Sequence, residues 1–386
     1  MNRFAVLDGW RGICAILVAL FHLSAASHIF YFPPIRNAGA FVDFFFVLSG
    51  FVLAHAYNDR VTTPGDAADF LVRRVGRLWP LHIFMLSLFV GLECVKWGTM
   101  AFLHVTAGDA PFTGPTEPFA IATNILLVHS LGLHSTYTWN GPSWSISTEL
   151  WANVVFALTL VAFRRHLLLC SILIIALSIG TLETFNHGSL GATYDYGIFK
   201  CLYGFFAGVI TYALHEKLHK GDIPLSSLVE IATLIGIGAY VSCLHLMVTD
   251  MFTPVVFGFS VFLFARERGS VSRLMKTKPF HYLGQWSFSI YLVHAFVLAI
   301  IGGTSRVLQQ LLHINLMIPT AYQSHKFEML TLGNAWMMDL FTIAYLALVV
   351  SISALTYRYV EEPGRAYFNG LAKRRVARRQ PQTNMR

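Results

Sequence analysis

The sequence predicts an all-α fold, a polytopic transmembrane helical bundle of about ten spans with both termini cytoplasmic. Three observations predict it. Of the 386 residues, 55% are hydrophobic and only 12% charged, whereas a soluble domain needs roughly a quarter charged residues to cover its surface. The mean hydropathy is +0.57, and apolar runs near the roughly 20 residues a spanning helix requires recur along the chain. The remaining charges sit in the connectors between those runs. Together these features exclude a soluble enzyme, a disordered chain and a nucleic-acid-binding module.

Taken in order, the candidate spans run near 11–31, 40–57, 79–97, 144–163, 167–183, 197–214, 225–246, 251–265, 280–302 and 335–357. Arg60, Arg73, Arg74 and Arg77 join the second and third spans. Arg164 and Arg165 join the fourth and fifth, Lys217 and Lys220 the sixth and seventh, and Arg266, Arg268, Arg273, Lys276 and Lys278 the eighth and ninth. Lys and Arg collect on the cytoplasmic side, so every second connector is assigned there. Residues 118–133 are apolar enough to span, but that would turn Arg164 and Arg165 outward. A re-entrant or interfacial helix is expected instead. The N-terminus resembles a signal peptide, with Arg3 and Arg11 before an apolar run and small residues at 24–27, and is read as an uncleaved first span. The net charge of +8 is read mainly as inner-leaflet orientation. The tail residues Lys373, Arg374, Arg375, Arg378 and Arg379 are expected to touch anionic headgroups. Cys14, Cys94, Cys170, Cys201 and Cys243 show no CxxC spacing, so neither a disulfide framework nor a metal site is expected.

Polar residues at membrane depth are expensive and therefore informative. In the first span Arg11 precedes His22 by eleven residues, about 16 Å of helix, which puts Arg11 at the inner interface and His22 near mid-bilayer. A neutral imidazole there can accept a proton as a general base, or it can simply donate to a backbone carbonyl within the bundle. Asp43 opens the second span, where Ser49-Gly50 suits a close helix contact. Arg74 and Arg77 lie three apart on one helix face. They either clamp a pyrophosphate through bidentate bonds or obey the positive-inside rule. Glu149 lies about a turn inside the outer interface, where pairing with another span and binding an acceptor are both open. Ser287, Tyr291 and His294 form one stripe of the ninth span, as buried polar residues of any bundle would. His215-Glu216-Lys217-Leu218-His219 matches the H-E-x-x-H zinc pattern, but it sits in a polar connector beside Lys217 and Lys220 with no third ligand following.

Six segments then resemble, in order, the acyltransferase-3 family of integral membrane acyltransferases, many of which O-acetylate bacterial glycans. They are Leu7-Asp8-Gly9-Trp10-Arg11-Gly12 with His22, the stretch from Asp43 to Phe51, Arg74 and Arg77 with Pro80, Ser143-Trp144 through Glu149, Ser287 through His294, and Tyr357 through Pro363. Trp10 stands where Leu is usual, and Trp151 where an aromatic-rich helix usually begins. The resemblance covers residue 7 to about 365. It implies a membrane domain at 1–366 with a basic cytoplasmic tail at 367–386, in the cell inner (plasma) membrane. It implies an acyl-CoA donor, acetyl-CoA foremost, and a carbohydrate or lipid-linked glycan acceptor. His22 with Arg11 and Asp8 would be catalytic, and Arg74 and Arg77 would bind the donor. Glu149, Trp144 and Asp43 would contact the acceptor, with His187, Tyr194 and Asp195 of the 183–196 loop on the same outer side. The hydrolase-like extracytoplasmic domain common in the family is not seen, so transfer would be completed in the membrane domain. Acylation of a small molecule such as a macrolide or lipid is a variant. A transporter with a buried proton-relay histidine and an intramembrane zinc protease using His215, Glu216 and His219 are the alternatives from other classes.

Overall fold

A computed structural model describes residues 4–104, 108–218, 225–244, 250–322 and 325–379. All ten expected spans fall on helices. They are α1 (Ala5–His22), α4 (Phe41–Tyr57), α5 (Pro64–Leu103), α7 (Trp144–Phe163), α8 (Leu167–Phe185), α9 (Gly197–Leu218), α10 (Ser226–Cys243), α11 (Thr253–Phe264), α13 (Lys278–Leu312) and α14 (Ala335–Thr356). The short helices α2 (His28–Tyr31), α3 (Pro33–Arg36), α6 (Pro118–Ile125) and α12 (Ser270–Met275) lie between them, and α15 (Glu362–Arg379) follows. Among the described residues, eight continuous helical stretches are long and apolar enough to cross a membrane. One of these, 141–185, holds both α7 and α8, separated by a single turn at Arg164–His166. With 12 residues, α11 is about 18 Å long and too short to cross a hydrocarbon core of roughly 30 Å alone. The faces of α8, α10 and α14 leave Leu169, Leu173, Leu177, Ile235, Leu340 and Ile343 exposed, as a surface wetted by lipid rather than water requires.

Two helices, α1 and α5, differ in their boundaries from the sequence-based expectation. The first helix runs from Ala5 to His22 rather than over 11–31, because Ala5-Val6-Leu7 extends it upstream while the chain after His22 pairs elsewhere. Arg11 is thereby drawn into the helix body and His22 becomes its last residue. The connector before the third span is itself helical. Thr63 and Asp66 form a capping box and Pro64 occupies the first turn, an arrangement that starts a helix firmly. The resulting 40-residue α5 is about 60 Å long. α15 runs antiparallel along its N-terminal half, with Gly364 against Pro80 and Gly76 against Phe368. Near the start of α5, Asp69 pairs with both Arg375 and Arg379. Residues 118–133 do not span. The 8-residue α6 dips between α5 and α7, where Trp79 Nε1 donates to Ile125 O at 3.0 Å and Trp151 Nε1 donates to Leu127 O at 3.1 Å.

A small antiparallel hairpin, β1 (Met317–Tyr322) and β2 (His325–Leu330), occupies the connector before α14 within the otherwise helical bundle. It holds the chain just beyond α1: Leu330 N donates to Ser24 O and Ala26 N to Leu330 O, both at 2.9 Å. Close helix approach is set by glycines. On α9 the pair Gly204 and Gly208, a G-x-x-x-G spacing, faces Phe46 and Val47 of α4, while Gly50 faces Phe205. Small residues of this kind let backbones meet in lipid. α1 packs most extensively against α13. A Cβ at Gly12 would sit 2.6 Å from Leu283, and one at Gly284 would collide with Asp8.

Candidate active site

Two polar cavities lie at the ends of α1, named inner and outer after the sidedness the sequence implies. The inner, of about 390 Å³, is lined by Asp8, Arg11, Ser49, Arg74, Arg77, Glu149 and Arg365 among others. Its cations are matched with acids. Arg74 Nη2 donates to Glu149 Oε1 at 2.7 Å, and Ser49 Oγ donates to the same oxygen at 3.0 Å. Arg77 pairs with Glu361 and lies over the Phe288 ring at 5.1 Å. Glu361 is 1% exposed and also accepts from Ser289 Oγ at 2.8 Å. Arg11 Nη1 stands 3.8 Å from Asp8 Oδ1. A buried carboxylate without a partner is strongly disfavoured, which explains why the deepest acid carries two donors. Glu361 reaches in from a π-turn over Tyr357–Glu361 that links α14 to α15, a local widening often found at functional sites. Arg365 follows on α15, within 3.5 Å of the Tyr357 hydroxyl.

The outer cavity, of about 820 Å³, is lined by His22, Arg36, Asp43, Trp144, Lys200 and Tyr291 among others. Its floor is an ion pair: Lys200, 6% exposed, lies 3.4 Å from Asp43, donates to Leu190 O at 2.6 Å and stands 5.4 Å over the Trp144 ring. His22 faces this space from the last turn of α1, with Nδ1 2.9 Å from Val18 O. A carbonyl only accepts, so the contact assigns the proton to Nδ1 and leaves a lone pair on Nε2. Tyr291 borders the layer between the cavities, donating to Pro142 O at 3.0 Å and packing on Phe45 with ring centroids 5.9 Å apart.

The expected site residues therefore divide. Asp8, Arg11, Arg74, Arg77 and Glu149 meet in the inner cavity, and His22, Asp43 and Trp144 in the outer. Of the two readings open for Glu149, the structure shows the pairing with another span, through Arg74. α7 carries it about 8 Å inward from Trp144, where Arg74 of α5 reaches up to it. His22 is not at the middle of its helix but at the outer end. The 183–196 loop borders the outer cavity through Ser189, Leu190, Gly191 and Thr193, whereas His187, Tyr194 and Asp195 are not in the lining. Lys200, Glu361, Arg365 and His294 were missed as site residues. A lysine inside the sixth apolar run was the available signal for Lys200, and the polar stripe of the ninth span was the signal for His294. His215 packs among Phe4, Phe51 and Phe262 at the end of α9, while His219 lies outside the described residues.

The family model described as "Acyltransferase domain", of the acyltransferase-3 family, matches residues 4–358. A Rhizobium radiobacter protein named "Protein 2 in picA locus" is 34% identical over 170 residues, covering 40% of this chain and 82% of that protein. A Bacillus subtilis protein, "Putative peptidoglycan O-acetyltransferase YrhL", is 22% identical over 320 residues, covering 75% of this chain. The chain spans about half the length of that relative, 47%. No solved structure matches it. The chain belongs to the acyltransferase-3 family and is a multi-pass membrane enzyme that transfers acyl groups.

Proposed function

We propose that the enzyme is an O-acyltransferase of the cell inner membrane. It moves an acyl group, acetyl foremost, from acyl-CoA to a hydroxyl of a glycan or lipid-linked saccharide. The observation that carries this reading is the pair of cavities on one helix, arginine-lined at one end and presenting the bare Nε2 of His22 at the other. The peptidoglycan O-acetyltransferase name of the B. subtilis relative supports the choice of group and acceptor.

Around the inner cavity four arginines, Arg11, Arg74, Arg77 and Arg365, face three acids, Asp8, Glu149 and Glu361, an excess of one. That excess suits the phosphates of the donor, which exchange with carboxylates for charge-assisted bonds. Asp8 orients Arg11. The pantetheine arm then follows α1 outward over the roughly 16 Å from Arg11 to His22. The acceptor lies in the outer cavity, with a sugar face against Trp144 and hydroxyls toward Asp43 and Lys200. His22 Nε2 takes the proton of the acceptor hydroxyl as its oxygen attacks the thioester carbonyl. The new C–O bond forms, the C–S bond breaks, and the leaving thiolate recovers the proton from His22 as the CoA thiol.

Mass spectrometry of envelope glycans from cells with and without the protein tests this. Acyl mass should appear with the wild type and disappear with a His22→Ala protein that inserts normally. Full acylation by that variant would sink the mechanism.

A further inference from the structure

His294 belongs to neither cavity lining. It is 0% exposed on α13, behind His22 as seen from the outer cavity. Its Nδ1 lies 3.1 Å from Ile290 O, and its Nε2 lies 3.3 Å from His22 Nδ1. We propose that His294 is a positioning residue for His22, holding it in the one tautomer that presents a basic Nε2 to the acceptor; the inference rests on His22 being the base.

The direction of the hydrogen bonds is determined by their two ends. Ile290 O and Val18 O can only accept. His294 therefore carries its proton on Nδ1, which leaves Nε2 as a lone pair. His22 Nδ1–H is shared between Val18 O at 2.9 Å and that lone pair. In the opposite assignment, with both protons on Nε2, bare Nδ1 atoms would face both carbonyls, two repulsive contacts, and His22 would aim an N–H at the acceptor. The arrangement also serves the charged state. When His22 takes the hydroxyl proton, its Nδ1–H becomes a stronger donor that already has two acceptors.

The fold holds the pair in register at three points. Gly12 and Gly284 bring α1 and α13 into backbone contact below it. Tyr345 donates to Ala19 O at 3.2 Å beside it. Beyond His22 the hairpin fastens residues 24–26 through Leu330. The rings end with centroids 5.0 Å apart and planes at 36°. His294 is not itself the base, because its Nε2 is already committed to His22 and its ring does not reach the outer cavity.

Initial rates from acetyl-CoA to the host envelope glycan fraction, measured in inverted vesicles, test the assignment. His294→Leu should lower kcat about 10- to 100-fold, as loss of an orienting partner does, with KM for acetyl-CoA unchanged. His294→Gln, whose Oε1 can accept from His22 Nδ1–H, should recover much of that loss. In a His22→Ala background His294→Leu should cost nothing further. ¹⁵N imidazole spectra of the wild type in nanodiscs should show His22 protonated at Nδ1, a readout independent of whether any variant folds. A proton on His22 Nε2, a wild-type kcat for His294→Leu, or an equal loss in the His22→Ala background overturns the proposal. Activity surviving in His22→Ala alone instead removes the base itself, and the tautomer spectrum distinguishes the two failures.

Discussion

The two cavities share a helix and little else. The inner one is built of charge that largely cancels: three arginines stand opposite Asp8, Glu149 and Glu361, and Arg365 stands at the rim within reach of the Tyr357 hydroxyl. The outer one holds the buried ion pair of Lys200 with Asp43 and an imidazole whose reactive nitrogen is bare. An anion entering the inner cavity has preset cations to meet, and its affinity depends on how readily it displaces carboxylates. A hydroxyl entering the outer cavity meets the bare imidazole nitrogen of His22 beside the Lys200–Asp43 pair. Binding strength and chemical rate are thus expected to reside in different places, and substitutions should separate them.

His22→Ala should produce the largest change. Removal of a general base costs about 10²- to 10⁴-fold, and it should fall on kcat with KM for acetyl-CoA unaltered, measured as initial rates in inverted vesicles. A rise in KM instead would erase the division between the cavities. Next is the pair behind Phe288. Arg77→Met leaves the Glu361 charge buried without its cation, which should lower stability by about 3–5 kcal/mol. Adding Glu361→Gln should restore most of the thermal midpoint in detergent, since the lone charge is then gone.

Arg74→Ala sharpens the comparison from the other side. Loss of a charge-assisted contact of about 1.5 kcal/mol corresponds to roughly a tenfold rise in KM for acetyl-CoA, with kcat held within a few-fold. Arg74→Lys should restore only part of it, because an ammonium lacks the planar fork.

The smallest effect concerns the wall that carries Ser143 and Trp144. His129, in the loop after α6, stacks on His82 and bonds to Ser143 Oγ at 3.1 Å. Burial, reinforced by the charge of His82, pushes its imidazole down to about 3. It is therefore neutral in the fold and protonates more readily when unfolded. Its contribution is complete above the unfolded value near 6.5 and is lost as the pH falls toward 3. Between pH 7 and pH 6 the loss is about 0.7 kcal/mol. The thermal midpoint of a His129→Asn variant should fall less over that interval than that of the wild type.

Much of this architecture was legible in the sequence. Hydropathy and the spacing of Lys and Arg are properties of contiguous segments, so they locate helices and orient them without knowledge of any partner. For the same reason Arg11 and His22, eleven residues apart on one helix, and Arg74 and Arg77 on one face of another, could be singled out directly. The boundaries of α1 and α5 were less legible because both depend on what the chain does just outside the apolar run, at Ser24 and at Thr63.

What the sequence by itself determined is a membrane bundle with an arginine-bearing inner side and a histidine eleven residues beyond Arg11 on its first helix. Only the tertiary structure decided which charges answer which. Glu149 meets Arg74 from 75 residues away, His294 meets His22 from 272, and Glu361 meets Arg77 from 284. In a medium that solvates no charge, each buried polar group must find its partner among the other helices. Helix packing chooses that partner, through contacts such as Gly12 on Gly284, and no local pattern encodes it.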